Sequence, residues 1–260
     1  MLTNNGGESW KQIMETLETI AGCSYEISWE KMNTKENGVP QNRVRIYIVG
    51  VLKRLCKGAF DFSSIKPVPC PSIEHFLDPR KGRSTEEDLP PTSQGHAHGN
   101  VKRVIRLLKK AGHDPLREPW IIDCDSTEKF CTQQLDCTPC ITRRRGGGHW
   151  VTNRGRRFTK PEMMRLQGMV PENFKVVVSE TQLGNHIGNS MSVNVLERIF
   201  ARLLQFANLV PEGKVLRDRW EALAKRRELA TCDLAKASKK RNRDSSPHFK
   251  RHNRIKIVMC

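Results

Sequence analysis

No stretch of this 260-residue chain is apolar for long enough to cross a bilayer. The longest run, Ile46-Tyr47-Ile48-Val49-Gly50-Val51-Leu52, falls far short of the roughly 20 residues a membrane helix needs, and reads instead as a buried strand. The opening residues, Met1 to Ser9, have neither the basic start nor the apolar core of a secretory signal, so no export is expected. Nine cysteines, an odd number without tight regular spacing, do not form a disulfide framework; reduced thiols in an intracellular protein are expected. No internal repeat is visible. The sequence is also short of acid, with 28 Asp and Glu against 45 Lys and Arg, a formal charge of +17. Such a surplus points to a polyanionic partner, nucleic acid before an anionic membrane. An apolar fraction of 37% in a chain of this length allows one sizeable core and at most a small second one.

What is present begins with periodicity. Trp10, Ile13, Met14, Leu17 and Ile20 recur at helical spacing, so Trp10 to Ala21 is predicted as a surface helix. Tyr25, Ile27 and Trp29 alternate with polar neighbours as a strand does, and Asn37-Gly38 with Pro40 marks a turn. In the next strand Val44, Ile46 and Ile48 share one face, which is expected to pack. Arg43, Arg45 and Tyr47 share the other, which is expected to present charge. From about 66 to 99 six prolines interrupt regular structure, giving a loop region or lobe that includes His96 and His98. Val101 to Ala111 is predicted as a basic amphipathic helix carrying Val104, Ile105, Leu107 and Leu108, and Trp120-Ile121-Ile122 as a strand. One long helix is expected over Ile187 to Ala207 and another over Leu216 to Leu229, followed by a charged tail.

Three motifs stand in order. Gly38-Val39-Pro40-Gln41-Asn42-Arg43-Val44-Arg45 sets a tight turn before Gln41 and two arginines about 7 Å apart on one strand face, a spacing that serves two acceptors or an acceptor and a carboxylate. Arg156-Arg157-Phe158-Thr159-Lys160-Pro161-Glu162 contains a capping box, Thr159 with Glu162, and runs on into Arg165-Leu166-Gln167-Gly168. Gly188-Asn189-Ser190 precedes an apolar helical stretch and offers a helix N-terminus to an anion. Between the first two motifs lie about a hundred residues. They end in Thr142-Arg143-Arg144-Arg145-Gly146-Gly147-Gly148-His149-Trp150, where basic side chains and glycines suit a phosphate chain or guanine edges; a flexible charged loop is the other reading.

In order and content these motifs resemble the eighth, ninth and tenth motifs of the cytosine-5 DNA methyltransferases, so the chain is similar to the carboxy-terminal part of that family. The resemblance implies an α/β fold: an incomplete Rossmann-like catalytic domain with an inserted, mixed target-recognition lobe. Residues 1–52 would supply the last strands and helix of the catalytic domain, 53–155 the recognition region, 156–212 the return to the catalytic domain, and 213–260 a basic helix and tail. It further implies methyl transfer from S-adenosylmethionine to a cytosine flipped out of duplex DNA. Arg45 would contact that cytosine with Gln41 and Arg43 in support, and Gly188, Asn189 and Ser190 would border the cofactor carboxylate. Arg143, Arg144, Arg145, Gly147 and Arg156 would hold DNA, with Arg156 and Glu162 either positioning DNA or serving structure.

The resemblance is equally informative for what it leaves out. Cytosine carbon-5 becomes nucleophilic only after a cysteine thiolate adds to carbon-6, which the family achieves with a Pro-Cys-Gln and a Glu-Asn-Val motif. Neither occurs here, and the glycine-rich cofactor loop is also missing. Cys70 lies between Pro69 and Pro71, yet it follows the eighth motif, the wrong side for the nucleophile. These residues alone are therefore expected to transfer little or no methyl. Two other readings stay open: a non-catalytic DNA-binding module, or one half of a split enzyme completed by a second polypeptide. Cys124, Cys131, Cys137 and Cys140 contain one Cys-x-x-Cys pair whose partner pair is irregular, so no metal is assigned. The basic run Lys239 to Arg243 suits nuclear import, and nuclear location is the expectation.

Overall fold

The computed structural model describes residues 3–56, 58–211 and 213–226. The charged tail and the far end of the helix predicted to reach Leu229 lie outside these; residues 219–226 are helical. Met1–Ala224 forms one compact unit, and Lys225–Cys260 a second that lies almost wholly outside the described residues. No helix among the described residues is long and apolar enough to cross a membrane.

The amino-terminal helix α1 (Glu8–Cys23) matches the apolar periodicity of Trp10 to Ile20, and leaves helical geometry at Ile20, Ala21 and Gly22. It leads into β1 (Tyr25–Asn33). After the Asn37–Pro40 turn come β2 (Gln41–Asn42) and β3 (Val44–Leu52), and β3 pairs antiparallel with β1 along all nine residues. The alternation predicted for β3 is right and its polarity is reversed. Tyr47, Val49 and Val51 are buried against Phe60, Phe62, Val195 and Ile199, whereas Val44 and Ile48 are about 40% exposed, at 41% and 39%. The run is apolar on both faces, so alternation could not say which face packs; the decision falls to the helix carrying Val195 and Ile199, which covers the Tyr47 side.

Helix α2 (Gly95–Lys110) starts earlier than predicted and takes His96 and His98 into its first turns, with His98 Nδ1 2.7 Å from the Pro90 carbonyl oxygen. It buries Val101, Val104, Ile105 and Leu108, while Leu107, predicted on that face, is 46% exposed. A small antiparallel sheet follows, in the order β5 (Gln133–Leu135), β4 (Trp120–Ile122), β7 (Trp150–Val151), β8 (Arg156–Arg157). Between β5 and β7, β6 (Thr138–Pro139) returns to pair in parallel with β2, placing Gln41 opposite Thr138. A core of Val39, Ile73, Ile121, Ile141, Met163 and Leu166 joins this region to α3 (Lys160–Arg165).

The single helix predicted over Ile187 to Ala207 is two: α4 (Glu180–Asn189) and α5 (Val193–Phe206). Tertiary contacts hold the break. Ser190 is extended (φ −63°, ψ 156°) and its carbonyl accepts from Arg43, while the Ser192 hydroxyl lies 2.6 Å from that of Thr34.

Candidate functional site: a convergence of three motifs

Gln41 is fully buried, its side chain bridging two segments that are distant in sequence. Nε2 donates to the Leu166 carbonyl (2.7 Å) and to Gln167 Oε1 (3.2 Å), and Oε1 accepts from the Ile141 amide (2.9 Å). Gln167 in turn donates to the Ile187 carbonyl at 2.9 Å. One chain of amide hydrogen bonds thus joins the first motif to the second, and the second to α4. Such a network rigidifies a site only when its members are satisfied, as these are.

Two residues on, Arg43 is 5% exposed and has no carboxylate partner. Nη1 donates to the Ile141 carbonyl (2.6 Å), Nη2 to that of Ser190 (2.8 Å), and both reach Gly188 at 3.4 Å. Burial lowers its pKa, and the ring of carbonyls accommodates the charge. Arg43 therefore ties β3 to the end of α4 and is a scaffold group, the use of its charge being internal.

Arg45 differs. It is exposed, with Nη1 on the neighbouring Val44 carbonyl (2.7 Å) and Nη2 3.3 Å from Cys140 Sγ, which also lies 3.5 Å from Arg43 Nη1. The arrangement presents one guanidinium outward from a rigid support, with a thiol beside it. In the sequence Cys140 stands only as half of a Cys-x-x-Cys pair; its place beside Arg45 is a product of the β2/β6 pairing and leaves no sequence signal. The four cysteines do not gather: Cys124 packs in the α2 core, where burial pushes its thiol up to about 12, and burial also raises Cys131 and Cys137. No group of three or more metal-ligating side chains occurs among the described residues. Cys70 lines a separate cleft with Lys35, Asn42 and Cys137.

The tenth-motif expectation needs correction. Gly188 and Asn189 end α4 instead of opening a helix, so they do not offer free helix N-terminal donors to a carboxylate. Gly188 is there for proximity: a Cβ on it would stand 2.3 Å from the Thr142 carbonyl carbon and 2.4 Å from the Arg143 nitrogen. One turn earlier Gly184 meets the Gly146 carbonyl oxygen in the same way, at 2.2 Å from an added Cβ. Glycines four apart on one helix face seat the 142–146 segment directly on α4. Asn189 is exposed, and the Ser190 hydroxyl donates to the Ile187 carbonyl at 2.7 Å. As a cradle for a carboxylate this arrangement does not fit.

The basic segment divides. Arg143 and Arg144 are exposed, as is Gly147. Arg145 is engaged with Asp123 through Nε and with Ser126 at 2.6 Å, so its charge is used internally. Arg156 forms a two-pronged pair with Glu162, at 2.7 and 2.8 Å. Glu162 is fully buried and completes the predicted capping box with Thr159. Burial alone would raise its pKa; hydrogen bonds from Arg156 and from the Thr159 and Asp78 amides outweigh that and hold it below the usual value.

Sequence reasoning missed Arg198, 1% exposed on α5, which binds Asp218 Oδ2 (2.7 Å) and Asn37 Oδ1 (2.6 Å) and so fixes the turn before Gln41. An arginine inside the apolar run of α5 was the available signal.

With this geometry in view, comparison with known proteins is decisive at the level of family. A family model described as C-5 cytosine-specific DNA methylase matches residues 1–205. The chain belongs to that family. It is 28% identical over 212 residues to the type II methyltransferase M.HaeII of Haemophilus aegyptius, covering 80% of this chain and 59% of that protein. It is 29% identical over 201 residues to M.NgoBI of Neisseria gonorrhoeae, covering 76% and 56% respectively. The chain thus spans less than two thirds of these methylases. A solved structure from E. coli, assigned as a DNA modification methyltransferase encoded within a prophage, superposes with TM-score 0.50 at 16% identity, over 78% of this chain and 68% of that one; it shows a shared mixed α/β fold.

Proposed function

We propose that this chain supplies the cytosine-contacting and DNA-reading part of a DNA (cytosine-5)-methyltransferase that uses S-adenosylmethionine. In this reading it is an incomplete Rossmann-like domain with an inserted recognition lobe. The observation that carries the reading is the division of labour in the first motif: Gln41 and Arg43 are locked inside, and of the three candidate contact residues Arg45 alone is exposed. An exposed guanidinium held by a rigid strand can accept a flipped base with little ordering cost. Arg143 and Arg144, on the segment seated against α4, supply phosphate contacts. Arg156 orients α3 through Glu162 and acts on DNA only indirectly. S-adenosylmethionine would bring the methyl group; no residue of the 188–190 turn is assigned to its carboxylate, and Asn189 is the one side chain there open to a ligand. The covalent step needs a thiolate from the part of the fold these residues lack, which either the same polypeptide or a second one could supply.

The test is duplex binding followed by gel shift with cytosine-containing DNA across a salt series. Binding weakened by Arg45→Ala and by Arg143→Ala with Arg144→Ala is the predicted outcome; binding indifferent to all three substitutions would contradict the assignment. Nuclear location follows only if the basic run 239–243 acts as an import signal, and deleting it in cells while following a fluorescent fusion decides that.

A further inference from the structure

A cleft of about 360 Å³ lies beside β8, walled by residues 78–84, Asp88, Arg154, Arg156 and Thr159. Its size is at the small end of the roughly 300–1,000 Å³ range of small-ligand sites. Cations outnumber acids on its wall: Arg80, Lys81, Arg83, Arg154 and Arg156 stand against Asp78 and Asp88. Both acids are already engaged. Asp78 accepts from the Thr159 hydroxyl (3.0 Å) and from Arg165, and Asp88 Oδ2 accepts from the Thr85 amide (2.7 Å).

The cations are less well matched. Arg156 is paired with Glu162, while Arg80 and Arg154 share the one carboxylate of Glu74. Lys81 and Arg83 are exposed and make no ion pair among the described residues. Arg154 is the more telling case. Its side chain is only 5% exposed, and its Nε is buried without an acceptor. Buried donors are normally satisfied, and leaving one unmatched costs stability, so an orphan in the wall of a cationic cleft points to an acceptor brought from outside. A tetrahedral oxyanion has enough oxygens to meet this donor and two free cations together, and arginine matches phosphate geometry well.

The cleft is also turned away from the segment assigned to DNA. Successive strand residues point to opposite faces. In β8, Arg156 faces the cleft, whereas Arg157 donates to the Gly148 carbonyl and to Asp125 (both 2.8 Å), on the side where residues 142–148 lie.

We propose that this cleft binds the phosphate group of a small phosphate ester, with Lys81 and Arg83 supplying charge at its mouth and Arg154 a buried donor in its wall. The site is separate from the base and backbone contacts proposed above, and its occupancy does not depend on methyl transfer.

The test is calorimetric titration of the full chain with inorganic phosphate and with glycerol 3-phosphate, an ester that carries no base, at constant ionic strength and with glycerol as the blank. Saturable one-to-one binding of both anions is expected, with a Tm that rises as ligand is added. Lys81→Ala with Arg83→Ala should weaken it about tenfold or more. Arg143→Ala with Arg144→Ala, which removes the same charge from the other segment, should leave it unchanged. Both pairs of side chains are exposed, so melts of the free variants should match the parent. No saturable binding, or equal weakening by the two double variants, overturns the proposal. A short duplex that displaces glycerol 3-phosphate, and whose own affinity falls as far with the Lys81 and Arg83 changes as with the Arg143 and Arg144 changes, assigns the cleft to the DNA backbone and also overturns it.

Discussion

Arg43 and Arg45 are two residues apart, of the same type, and opposite in consequence. Removing Arg43 leaves the carbonyls of Ile141, Gly188 and Ser190 buried without their donor. At about 1–3 kcal/mol for each orphaned group, relieved in part by relaxation, Arg43→Ala should destabilise the chain by about 3 kcal/mol in urea unfolding. Arg45→Ala should change stability by less than about 0.5 kcal/mol, since its side chain is exposed. In a reconstituted enzyme the same change should reduce methyl transfer by about a hundredfold if it stabilises charge on the base. Glu162 and Glu74 make a pH prediction. Burial opposes ionisation in both, but the Arg156 and Arg154 hydrogen bonds prevail; Glu162 sits below the ordinary 4.5 and Glu74 is lowered to about 2. Between these values the unfolded chain binds more protons, so stability rises with pH there and falls as pH drops from 4.5 toward 2. Glu162→Gln should flatten that slope in denaturant melts taken across the window.

At the scale of elements, α4 depends on two missing side chains. Gly→Ala on an open helix surface typically stabilises by up to about 1 kcal/mol. Here a Cβ on Gly184 or Gly188 would stand 2.2–2.4 Å from backbone of the 142–146 segment, so the sign should reverse: Gly184→Ala lowers Tm and loosens the Arg143–Gly147 segment, as read by proteolysis. These elements also show how far the sequence could be read. Thr159 with Glu162 was legible because a capping box is local, and β1 with β3 because alternation is local. The interruption at Ser190 was not, since it is imposed by Arg43, 147 positions away. Nor was the packed face of β3, where both faces are apolar and only the place of α5 decides. Among site residues, Gln41 and Arg43 were marked by their motif. The loss of Arg145 to Asp123 and the arrival of Cys140 beside Arg45 depended on folds of the chain that no spacing records.

For the whole molecule, arginines paired with Glu74, Glu162, Asp123, Asp125 and Asp218 use their charge internally, while Arg143 and Arg144 are exposed. Duplex binding should therefore weaken linearly with log salt, and replacing Arg143 and Arg144 by Ala should reduce the slope by about 2. Three motifs that are far apart in sequence converge on one buried network beside the exposed Arg45, proposed above to contact the base, and no Pro-Cys-Gln motif places a thiolate there. The most direct measurement is labelled-methyl transfer from S-adenosylmethionine to cytosine-containing duplex, by this chain alone and after addition of a nucleophile-bearing methylase segment. No turnover alone, with transfer restored in the mixture and lost again on Arg45→Ala, is the predicted result. Sustained turnover by these 260 residues alone would contradict it.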